Sequence, residues 1–242
     1  MRLKKKKKKK KRIKRPPHFI SLQHNLDEIN RLLEIHTEIA GSGPGYKHNV
    51  QVLNKSAVVL LLACWEAYIE DLAENCFNLM LSKADVPHVF PDHVLATAAK
   101  EVRKNDKDVW LIANAGWKDV LKSHKEKVLE YYVIRGAFNT PNPDKIDRLF
   151  AKLIGMPPLS RTWYWSGMSV VKSKEKLNKL IELRGNIVHR VQTSKNVTKF
   201  NVSDNKEFIL RLAVISNNRA IRYLYEKIGQ RPWRTMRYKK TR

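Results

Sequence analysis

The sequence predicts an all-α protein, a bundle of long helices with short helical insertions between them. Three observations point there. Apolar residues recur at three- and four-residue spacing over long stretches. Only 9 glycines and 10 prolines interrupt 242 residues, too few for a many-turned β protein. No segment shows the strict alternation of a half-buried strand.

The elements follow in order. Residues 18–40 form a first helix, with Leu22, Leu26, Ile29, Leu32, Leu33, Ile35 and Ile39 on its apolar side. "GSGPG" (41–45) breaks it. Residues 49–82 form a long second helix with a stripe of Leu53, Ala57, Leu60, Cys64, Tyr68 and Leu72. After "KADVPHVFPDH", shorter helices are expected over 92–103, 106–114, 117–133 and 144–154. An aromatic loop, "GMPPLSRTWYWSG", covers 155–167, and a helix spans 169–191. A final helix runs from Asp204, paired with Glu207 as an N-cap set, to Ile228, with Ile209, Leu212, Ile215, Tyr223 and Leu224 facing inward. The domain reading is a disordered polybasic tail over 1–17, one helical domain over 18–229 and a basic tail over 230–242.

Hydrophobic residues make up 43% of the chain, enough for a core. The formal charge is +25. Residues 1–15 hold twelve Lys or Arg and no acid, and residues 231–242 hold six more, which leaves +7 for 16–230. Like-charged ends of this kind repel themselves and bind polyanions through counterion release. Cys64 and Cys76, on one helix, would lie roughly 18 Å apart, beyond disulfide reach, and a reducing cytoplasm fits. The longest apolar run, "AVVLLLACW" (57–65), is half the length that crosses a bilayer, so no membrane partner is expected. No cysteine–histidine spacing suits a metal, and no glycine-rich phosphate loop or nucleophile elbow occurs. Neither metal nor cofactor is expected.

The chemistry concentrates in "IELRGNIVHR" (181–190). Leu177, Ile181, Arg184, Val188 and Val191 step by four and three, the spacing of a packing seam. Arg184 occupies a seam position, where an unpaired guanidinium is costly, so it must face a carboxylate, a phosphate or a wet cleft. His189 lies about 140° further round the helix. Gly185, one turn beneath His189, removes a side chain where a ligand or backbone could approach. Asn186 could hold the imidazole or touch a sugar hydroxyl. On the second helix Glu66 and Glu70, at i and i+4, project from one face. They are candidates to pair with Arg184 or orient His189. The aromatic cluster Trp163, Tyr164 and Trp165 suits either base stacking or a core plug.

"LNKSAVVLLLACWEAYIEDL" (53–72), "GMPPLSRTWYWSGMS" (155–169) and "LNKLIELRGNIVHR" (177–190) together resemble the RiboL-PSP-HEPN branch of the HEPN (higher eukaryotes and prokaryotes nucleotide-binding) superfamily. The likeness covers most of residues 20–228, in order. Its signature, an Arg and a His separated by four to six residues on a late helix, falls on Arg184 and His189. The position after the Arg, commonly polar in the family, is Gly185 here. The resemblance implies a HEPN-like helical bundle, a homodimer with facing motifs and metal-independent RNA cleavage. It also implies frequent toxin–antitoxin or antiviral roles, hence RNA and an antitoxin as partners. The competing expectation is a non-catalytic helical dimer that binds RNA or a partner protein.

Overall fold

In the computed structural model, described over residues 14–41, 50–100, 102–134, 140–190 and 196–240, the chain is helical. The polybasic residues 1–13, most of "GSGPG" and Val191 lie outside the described residues. Seven α-helices are described: α1 (Pro17–Ala40), α2 (Gln51–Lys83), α3 (Asp92–Ala98), α4 (Trp117–Leu129), α5 (Pro143–Ile154), α6 (Val170–Arg190) and α7 (Lys199–Ile228). Among the described residues there is no strand, only an isolated bridge between Trp165 and Met168. The all-α expectation holds.

The bundle is organised around α2, which packs against α1, α5, α6 and α7. The sequence reading gave α2 one stripe, and this is too narrow. Burial comes in adjacent pairs, Ala57/Val58, Leu61/Leu62, Cys64/Trp65, Tyr68/Ile69, Leu72/Ala73, Cys76/Phe77 and Met80/Leu81, while Leu60 is exposed. A helix with partners on several sides must be apolar around most of its circumference. By length and composition α2 could cross a membrane, a point that the nine-residue run did not reveal. Half of its most apolar window is buried inside the bundle. Cys64 and Cys76 are both buried and free.

Tyrosine and tryptophan side chains fix the helices at defined heights. Tyr68 on α2 donates its hydroxyl to the Ala213 carbonyl of α7 at 2.7 Å, and Tyr223 on α7 donates to the Ile154 carbonyl at the end of α5 at 2.6 Å. Trp163 is wholly buried against Trp65, and its indole N–H donates to Ser216 Oγ at 3.0 Å. The aromatic loop is therefore a core plug at Trp163, although Tyr164 remains exposed. Gly155 ends α5 at φ +69°, and a Cβ there would meet Pro91 Cγ at 2.4 Å. Both the left-handed turn and the close approach to Pro91 demand glycine.

Several boundaries differ from expectation. The expected helix over 92–103 shortens to α3 and a single tight turn, Val102–Lys104; that over 106–114 is a 3-10 helix, Asp106–Ile112, with no buried residue. Because Val109, Trp110, Leu111 and Ile112 stay exposed, an α-helix there would gain little from packing. In α1, Ile39 is exposed while His36 is buried. The largest correction concerns α7, which begins at Lys199. Thr198 is its N-cap, locked in a reciprocal box with Asn201. Asp204 and Glu207 lie inside the helix instead. Asp204 pairs with Lys176 of α6 at 2.5 Å, and Glu207 accepts the Tyr238 hydroxyl.

Candidate functional site

On α6 the buried residues are Ser173, Leu177, Leu180 and Ile187. This row steps by four, three and seven, and position 184 completes it. The seam read from the sequence was turned by about one residue: Val188 is 47% exposed, and Ile181 is only partly buried. Arg184 belongs to both rows. It is the polar interruption of the real packing seam, and it is partly buried there. His189 stands exposed in the last turn of α6. Among the described residues, neither side chain makes a hydrogen bond or a salt bridge.

The surroundings of Arg184 come from α2 and α5. Burial raises the pKa of Glu66, and the positive charges of Arg184 and Lys145 oppose that rise. So the structure brings Glu66 within the field of Arg184. Lys145 was not singled out from the sequence. It sits in the first turn of α5, with its backbone N–H capped by Asn142 and its ammonium donating to Thr140 Oγ1 at 2.5 Å. Only the packing of α5 on α2 reveals it as a second cation of this site. The motif "NPDK" carries the cap signal, yet nothing in it points to Glu66.

Glu70 is one turn on from Glu66, partly buried. Its pKa rises to about 7, first through burial and then through repulsion from Glu66 and Asp71. The pair thus gives an acidic wall in which one carboxyl titrates near neutrality while its neighbour is held ionised more firmly by two cations. Asn186 is partly buried on α6 beside the motif, and it makes no described contact with His189. The space at Gly185 is open: a Cβ built there meets nothing within 4 Å. Arg184 and His189 stand one residue before and four residues after this glycine on α6. Val188 on α6, Val52 on α2 and Phe200 on α7 are exposed, and the bond from Asn54 to the Val197 carbonyl ties α2 to the residue before the N-cap of α7.

A cavity of about 890 Å³ opens elsewhere, between α3, α4 and α5, lined by His93, His124, Tyr131 and Lys152 among others. None of Arg184, His189, Asn186, Glu66 and Glu70 lines it. Among the described residues no group of three or more His, Cys, Asp or Glu side chains is placed to share a metal ion.

The fold and the motif define a helical-bundle protein with an Arg–His pair on a late helix, packed on a central apolar helix. The RiboL-PSP-HEPN family model matches residues 20–221, and the chain belongs to that family. This membership supports a nucleotide-binding or ribonuclease-like role. No curated protein and no solved structure gives a significant match.

Proposed function

We propose that this protein is a metal-independent endoribonuclease that works as a homodimer, with Arg184 and His189 of each copy meeting in one cleft. A toxin or defence effector of the cytoplasm, restrained by an antitoxin, is the role this activity fits. The observation that carries the reading is the guanidinium set into a helix seam, with an exposed imidazole five residues on and open space at Gly185. Family membership supports it, and exposed Val188, next to His189 in the chain, suits contact with a second copy.

RNA brings its own nucleophile. One histidine takes the proton from the 2′-hydroxyl as its oxygen attacks phosphorus. The phosphorane-like transition state gathers negative charge, which the planar guanidinium of Arg184 neutralises through paired hydrogen bonds. The bond from phosphorus to the 5′-oxygen breaks, and the partner copy's histidine supplies that oxygen with a proton. The products are a 2′,3′-cyclic phosphate and a 5′-hydroxyl. Glu66 and Glu70 take supporting roles by orienting the cations, and Asn186, partly buried on α6, is assigned to a sugar hydroxyl.

The test is incubation of purified protein with RNA in EDTA, with His189→Ala and Arg184→Ala alongside. Loss of cleavage by at least ~100-fold in each variant is expected. Cleavage that survives in His189→Ala, or stops in EDTA, rejects the proposal. Tight RNA binding without any cleavage by the parent chain would instead identify a non-catalytic RNA-binding dimer.

A further inference from the structure

The two ends of the chain are remote in sequence and meet in space. Beyond α7, residues 231–240 turn back and run antiparallel along its surface. The Arg231 guanidinium lies over the Tyr225 ring at 4.9 Å, Asn218 exchanges hydrogen bonds with the Met236 backbone at 2.8 and 2.9 Å, and Tyr238 stacks on Arg211 at 4.0 Å. Positions 211, 218 and 225 share one face of α7, being seven residues apart. Trp233 and Met236 are buried, and Trp233 meets the His18 ring edge-on at 5.0 Å. The Arg234 N–H donates to the Lys14 carbonyl at 3.1 Å. The returning segment is therefore pinned between α7 and the beginning of α1.

This packing leaves the cations outside. Arg231, Arg234, Arg237, Lys239 and Lys240 are exposed on the returning segment, Lys14 and Arg15 beside it, and Arg222 on α7. Nearby acids on α7 are occupied, Glu207 by Tyr238 and Glu226 by Arg219. Tyr225 is half-exposed with Arg231 over one face of its ring, and Tyr164, the chain neighbour of the Arg211-bound Trp165, is exposed.

We infer that the joined basic ends form one docking surface for single-stranded RNA, separate from the Arg184 cleft. Closely set cations on a fixed frame track a phosphate backbone, and exposed rings accept unstacked bases. Duplex nucleic acid would leave those rings unused. The separation follows from α2: Tyr68 faces His18, the residue under Trp233, whereas Glu66 faces Arg184. Two residues apart, these side chains point about 200° from one another.

The test is fluorescence anisotropy of a short labelled oligouridylate with the full-length His189→Ala chain, from about 50 to about 200 mM salt. It reads binding alone, so its result does not depend on whether the cleft cleaves. Replacing Arg234, Arg237, Lys239 and Lys240 together by Gln should weaken binding at least ~10-fold at low salt and flatten the log–log salt slope by ~2–3. Trp233→Ala keeps every charge but frees the segment, and a several-fold loss is expected. Met236→Gln loosens the same segment if Trp233→Ala does not fold. Parental affinity in the four-fold variant, or in a folded variant with the segment freed, overturns the inference. So does displacement of the RNA by duplex DNA or anionic phospholipid vesicles as effective as that by unlabelled RNA at equal phosphate.

Discussion

Arg184 on α6 acts on the charge of Glu66 on α2 across the contact between their helices. Burial pushes the Glu66 carboxyl up, and the guanidinium, with Lys145, pulls it back. A seam arginine is tolerable because a carboxylate and solvent share the cost of its desolvation. Arg184→Ala should therefore let the Glu66 pKa climb further, and carboxyl NMR titration of the two chains would show it. An unchanged or lower value would mean that the two groups do not interact.

Glu70 predicts a pH dependence of stability. A glutamate titrates near ~4.3 in an unfolded chain, and here it titrates at about 7. Between those values the folded state binds the extra proton. Its contribution is complete below the lower value and is lost as pH rises through about 7. Glu70→Gln should raise the melting temperature at pH 8, by on the order of 1–3 °C after allowance for solvent screening. At pH 5 it should do little. Equal effects at both pH values would disprove the assignment.

His18 works in the opposite direction. It is buried against Trp233 and Tyr68 with Nε2 at 3.0 Å from Asn217 Oδ1, and burial lowers its pKa to about 4 in spite of that bond. The unfolded chain binds its proton near pH ~6.5, so the stability it confers is full above that value. It fades as pH falls through about 4. Imidazole NMR signals should show His18 neutral at pH 5, and a charged ring there would contradict this environment.

Two glycine substitutions should part company. Gly155→Ala forces a Cβ onto Pro91 at φ +69° and should destabilise the fold by about 1–3 kcal/mol in urea melts. Gly185→Ala meets no atom and should leave the isolated fold as stable or up to ~1 kcal/mol more stable. If a second copy or RNA approaches this point, the same methyl should reduce dimerisation or cleavage, read by sedimentation and product assay. Full activity in Gly185→Ala would show that nothing approaches that point of α6.

The helices α1, α2, α5 and α6 were readable because each carries a long run of three- and four-residue apolar spacing. The start of α7 was not. Thr198–Asn201 and Asp204–Glu207 both offer a capping pair three residues apart, and only the surrounding packing chooses between them. On α6 the two rows through Leu177 and Arg184 differ by one residue, Leu180 against Ile181 and Ile187 against Val188, which is finer than periodicity resolves.

The sequence by itself determined the helical class, the motif Arg184–His189 and the carboxylates Glu66 and Glu70, because these depend on spacing along one helix. Tertiary structure decided that Lys145 joins them, that Trp163 plugs the core, and that Trp233 brings Arg234 to Lys14. Those relationships join residues tens to hundreds of positions apart. No local periodicity encodes them; they arise when separate apolar faces are buried together.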